Sequence, residues 1–98
     1  MATKLINLTK STLWISKEIH IPPSGTIAKT YPEDGETIIN IAGEEVTITS
    51  NKVINIPDPE PGVIYVVRAT AAAAAHRTDV VTPVVDHTGK FLGFRKFV

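Results

Sequence analysis

Residues 61–83 read PGVIYVVRATAAAAAHRTDVVTP, and this stretch decides the fold. Pro61-Gly62 is a turn by composition. Val63 to Val67 is β-branched and aromatic with no polar alternation, the pattern of a strand buried on both faces. Alanine is the strongest helix former, so Ala69 to Ala75 is predicted to be helical. A helix this short does not persist alone in water and must be held by packing. Its small side chains allow close approach to a sheet or to another subunit. His76-Arg77-Thr78-Asp79 is a polar exit, and Val80 to Val85 reads as the next strand, interrupted by Pro83.

Outward from this centre the chain is strand and turn. Lys4 to Leu8 reads as a first strand. Leu13, Ile15, Ile19 and Ile21 keep a spacing of two on either side of a turn at Ser16-Lys17-Glu18. Trp14 falls on the opposite side from Leu13 and Ile15. Packing over the sheet's second face is the expected reading, with a contact surface as the alternative. Pro22 to Gly25 is a turn, Thr26 to Thr30 a short strand, and Tyr31 to Gly35 another turn. Glu36 to Ile41, the turn Ala42-Gly43-Glu44, and Glu45 to Ser50 form the clearest hairpin. Asn51-Lys52 is read as a turn into Val53 to Ile56. Pro57 to Gly62 is an extended surface connection. Asp86 to Gly89 is an aspartate-led turn. Lys90 to Val98 is the last strand, with Gly93 marking either a bulge or a tight backbone approach.

The expected architecture is one α+β, mainly β domain over residues 1–98. It has a small twisted, mostly antiparallel sheet, barrel- or sandwich-like, and one short Ala-rich helix. The 43% hydrophobic and 20% charged content suits a folded chain and argues against disorder. Ten basic and ten acidic residues cancel, which argues against broad nucleic-acid binding. The absence of cysteine removes disulfides, thiolate chemistry and cysteine metal sites. No apolar run reaches the ~20 residues of a membrane span, and the first residues lack the apolar core of a secretory signal.

No catalytic or cofactor-binding motif is present: there is no HExxH, P-loop, GxGxxG or GxSxG. His20, His76 and His87 have no metal-ligand spacing, so neither metal nor cofactor is expected. The polar residues around the helix are the candidate ligand contacts: Arg68, His76, Arg77 and Asp79, with Arg95 from the last strand. Arg68 stands at the strand-to-helix junction, where backbone donors and a guanidinium fork suit an anion. Its structural alternative is a tie to Asp79 or a loop carbonyl. His76 and Arg77 also suit the helix C-terminus, and Asp79 can pair with Arg77. The acidic turns Glu33 to Glu36 and Glu44-Glu45 read as solvated.

Several segments in order carry a resemblance: Asn7-Leu8-Thr9, Pro22 to Ala28, Pro57 to Val67, the alanine helix, Arg77 to Pro83, and Asp86 to Arg95. In that order the chain resembles a group of small proteins from tailed bacteriophages and prophages. Lys10-Ser11 stand where the family pattern usually has proline and histidine, so no role for that histidine carries over. The resemblance implies a phage-encoded accessory protein in the host bacterial cytoplasm. It would be a non-enzymatic binding module, expected to be homo-oligomeric. Its partner would be a host protein, such as one of a defence system, or a small anionic nucleotide signal. The alternative is a structural or assembly protein of the phage particle. A small hydrolase using His76, Asp79 and Asp86 ranks below both.

Overall fold

A computed structural model describes residues 3–32, 37–48 and 51–98. The strands are β1 (Lys4–Asn7), β2 (Leu13–Trp14), β3 (His20–Ile21), β4 (Lys29–Pro32), β5 (Thr37–Ile41), β6 (Glu44–Ile48), β7 (Asn51–Ile54) and β8 (Val63–Val66). After β8 come the helix α1 (Ala69–Ala75), β9 (Val80–Val85) and β10 (Phe91–Arg95). The α+β, mainly β reading with one Ala-rich helix stands. No closed barrel forms among the described residues. The main sheet has four strands in the order β1-β8-β9-β10, and three two-stranded ladders pair β2 with β3, β4 with β7, and β5 with β6.

The run Val63 to Val66 is the second strand of the main sheet, flanked by β1 and β9 and parallel to both. Val63, Tyr65 and Val67 share one core cluster with Ala71 and Ala72 of the helix, which accounts for the apolar face that they form. Val63, Tyr65, Val66 and Val67 are all buried. A parallel pair needs a crossover, and α1 supplies it between β8 and β9. Ala71 and Ala72 form its buried face against β9, β7 and β4. His76 ends the helix in the left-handed conformation, φ 49°, and its N–H donates to the Ala72 carbonyl over 3.2 Å.

Pro83 is accommodated because β8 pairs with β9 only at Val80 and Val81. From Thr82 onward β9 pairs with β10 alone. The register slips between Phe91 and Gly93, so the predicted bulge at Gly93 is present.

Three local readings are corrected. Trp14 does not cover the sheet's second face: it is 55% exposed and rests on His20, ring centroids 4.7 Å apart. The β2–β3 ladder lies outside the main sheet. Its half-buried residues are Leu13 and Ile21, paired across the ladder, which leaves the Trp14–His20 side to solvent. Tyr31 and Pro32 end strand β4 instead of opening a turn, and Thr26 to Ala28 lie before it. Asn51 and Lys52 open β7 instead of turning. Both shifts follow from the antiparallel pairing of β4 with β7, which sets Tyr31 opposite Lys52. The expected turn residues 33–35, with Glu36, Thr49 and Ser50, lie outside the described residues.

The hairpin β5–β6 turns at Ala42-Gly43, with φ of 52° and 88°. Two positive φ values in a two-residue loop match the twist of the flanking strands. The Asn40 Oδ1 accepts the Gly43 N–H at 3.1 Å. The molecule is extended, 57 × 33 × 23 Å with a radius of gyration of 16.5 Å. A compact chain of this length measures about 13 Å.

Candidate functional site

The sequence candidates do not form one cluster. Arg77 and Asp79 pair with each other: Nε donates to Oδ1 over 2.9 Å and Nη2 to Oδ2 over 2.6 Å. The guanidinium lies 5.8 Å from the centre of the Tyr65 ring. Tyr65 is buried, and its hydroxyl donates to the Asp58 carbonyl over 3.1 Å. Burial pushes its phenol pKa above the ordinary value, helped by the nearby Glu60 carboxylate. The set Tyr65-Arg77-Asp79 therefore fastens the helix exit to β8, with the arginine's charge matched by Asp79. His76 serves as the helix C-cap. Arg95 lies over the Phe97 ring at 4.9 Å.

Arg68 stands apart from that clamp. It is the N-cap residue of α1, with an extended backbone and no side-chain capping bond, and it is exposed. It lines two adjoining clefts of about 240 and 220 Å³. Lys10 and Ile27 line both as well. Leu8 and Thr9 complete the first cleft; Lys29, Thr30 and Tyr31 complete the second.

Local hydrogen bonds explain why these segments meet. The Leu8 N–H donates to the Val66 carbonyl, continuing the β1–β8 pairing by one step. Ala28 then donates to the Leu8 carbonyl, which brings the 27–29 segment alongside. The Asn55 Nδ2 holds the Ile27 carbonyl over 3.1 Å. Asn7 fixes the path between Leu8 and Lys10. Its Oδ1 accepts from the Thr9 N–H at 3.0 Å and the Thr9 hydroxyl at 2.6 Å, and its Nδ2 donates to the carbonyls of Ser11 and Ile21. Lys10 and Arg68 thus both emerge just past the carboxyl ends of parallel strands β1 and β8. Open parallel sheets carry their ligands at that end.

The lining of the two clefts joins three cations, two threonine hydroxyls, apolar walls and a half-exposed tyrosine ring. Among the described residues that line them there is no carboxylate and no imidazole. Such a surface can hold an anion and stack a planar group. Arg77–Asp79 is the only ion pair among the described residues, so Lys10, Lys29 and Arg68 have no acidic partner among them. Neither do these residues bring three His, Asp or Glu side chains together for a metal. Lys10, Lys29 and Tyr31 escaped the sequence reading because each is ordinary in its own segment. Only the long-range pairing of β4 with β7 and the Leu8–Ala28 bond set them beside Arg68.

A third, larger depression of about 660 Å³ lies elsewhere, lined by residues 14–17 and 89–91. No helix among the described residues is long and apolar enough to cross a membrane. No family model, curated protein or solved structure matches the chain.

Proposed function

We propose that this chain is a non-enzymatic binding protein that captures a small phosphate-bearing anion, with a nucleotide signal as the preferred class. The observation that carries this reading is the convergence of Lys10, Lys29 and Arg68 around adjoining clefts beside the Tyr31 ring. Three cations without acidic partners among the described residues suit a phosphate group, and an exposed aromatic ring suits a base. The motif order noted in the sequence adds the context of a phage-encoded accessory protein at work in a bacterial cytoplasm, where sequestering a signal would blunt a host response. Inhibition of a host protein through the same cationic surface is the variant in which the anion belongs to a macromolecule.

Thermal unfolding in the presence of inorganic phosphate, adenine nucleotides and cyclic nucleotides tests the proposal. A ligand at about 100 times its Kd stabilises by about 2.7 kcal/mol, and each kcal/mol raises Tm by about 4–8 °C in a domain of this size. The expected result is a rise with at least one nucleotide, lost in the Lys10→Ala/Arg68→Ala double variant. No rise with any of them at millimolar concentration, or an equal rise in the double variant, overturns it.

A second reading, a structural protein of the phage particle, is favoured by the exposed apolar residues of the β5–β6 hairpin. Mass spectrometry of purified particles separates the two, since only the structural reading requires the chain to be there.

A further inference from the structure

The β5–β6 hairpin is an arm about 17 Å long by its strand rise. Direct cross-strand partners share a face, so Ile39, Ile41 and Val46 line one side, with Glu44 at its end. Ile41 and Val46 are 54% and 39% exposed, and on the other side Ile38 is 59% exposed. An isolated two-stranded ribbon is marginal in water, so an apolar face left open on such an arm calls for a cover.

Charge indicates what covers it. Residues 30–51 contain Glu33, Asp34, Glu36, Glu44 and Glu45 and no lysine or arginine. All ten cations, against the other five acids, lie in the rest of the chain. By sequence, the acidic segment 30–51, which contains the hairpin with Glu44 and Glu45, balances the basic remainder of the chain. On that body, the groove of about 660 Å³ has Trp14, Ile15 and Phe91 as apolar walls, with Lys17 and Lys90 beside them. Among the described residues, none of the arm of the same chain lines it.

We propose that this groove receives the arm of a second copy of the chain. Ile39, Ile41 and Val46 would lie against Trp14 and Phe91, and Glu44, on that same face, would meet Lys17 and Lys90, while Glu45 on the opposite face adds to the arm's negative field. The groove fits this role better than the Lys10/Arg68 clefts, which are smaller and more polar. The inference is independent of the ligand reading, because the groove and those clefts share no residue.

Sedimentation velocity on the full chain, together with two charge-reversed forms, provides the test. One form carries Glu44→Lys and Glu45→Lys; the other carries Lys17→Glu and Lys90→Glu. At roughly 100 µM the natural chain is expected to self-associate, and more weakly as salt screens the charges. Each reversed form alone should associate about tenfold more weakly or not at all. An equimolar mixture of the two should regain association, as mixed species only. A third form, Lys10→Glu/Arg68→Glu, should associate like the natural chain. Circular dichroism of each form checks that it folds. A monomeric natural chain, association indifferent to both reversals, or a mixture of folded forms that stays monomeric would overturn the proposal.

Discussion

Asn7 is 1% exposed, and all four of its amide hydrogen-bonding positions are used. Replacing it with alanine strands the buried partners, and we expect a loss of about 2–3 kcal/mol in urea unfolding. Asn7→Asp keeps the acceptor for Thr9 but aims a carboxylate oxygen at two carbonyls. That repulsion raises the new carboxyl's pKa in the folded state. The variant should then be most stable in acid and weaken as pH rises through the carboxylate range, a trend that stability measured from pH 3 to 7 would reveal. Asp86 has the opposite sign. Its Oδ1 accepts from the Thr88 hydroxyl and from the Thr88 and Lys90 N–H groups, and these bonds hold its pKa below the usual aspartate value. The β9–β10 turn is therefore stabilised above the ordinary aspartate pKa and loosens only as pH falls through the lowered one. Carboxyl NMR titration should show a midpoint below that of a free aspartate; a midpoint above it contradicts the geometry. Residues close in sequence were legible in this way: Asp79 two places from Arg77, and Asp86 two from Thr88. Lys10, Lys29 and Arg68 come from three distant segments, and no local pattern ties them together.

At the scale of elements, composition located α1 to the residue, because seven helix-forming positions end in polar residues. It also located β9, whose apolar run overrides its proline, and the bulge at Gly93. Strand edges failed where pairing overrode turn chemistry: Tyr31 and Pro32 belong to β4 because β7 lies opposite. The parallel order β1-β8-β9 was hidden as well, since a strand's own sequence does not name its neighbours. Alanine in α1 is a packing choice as much as a helix-forming one, and one pair of variants separates the two. Leucine is nearly as good a helix former as alanine. Ala71→Leu, on the buried face, should cost about 1–3 kcal/mol by overpacking. Ala73→Leu, on the exposed face, should change stability by no more than about 0.5 kcal/mol. Equal effects in thermal melts would mean that α1 does not lie against β9 and β7 as described.

On the scale of the whole molecule, neutrality and small size gave little hint of shape. The body is a four-stranded sheet with α1 on it, the β4–β7 ladder packs against that helix, and the acidic hairpin carries its apolar residues in the open. The cationic clefts lie where β1 and β8 end and β4 begins, so the ligand reading depends on long-range topology that no single stretch of sequence contains. It also makes a spatial prediction. Amide chemical shifts recorded while a nucleotide is added would test it most directly. The account predicts saturable changes at Thr9, Lys10, Ile27, Thr30 and Arg68, with residues 86–91 unmoved. Changes confined to Trp14, Lys17 and Lys90, or none anywhere at millimolar nucleotide, would contradict it.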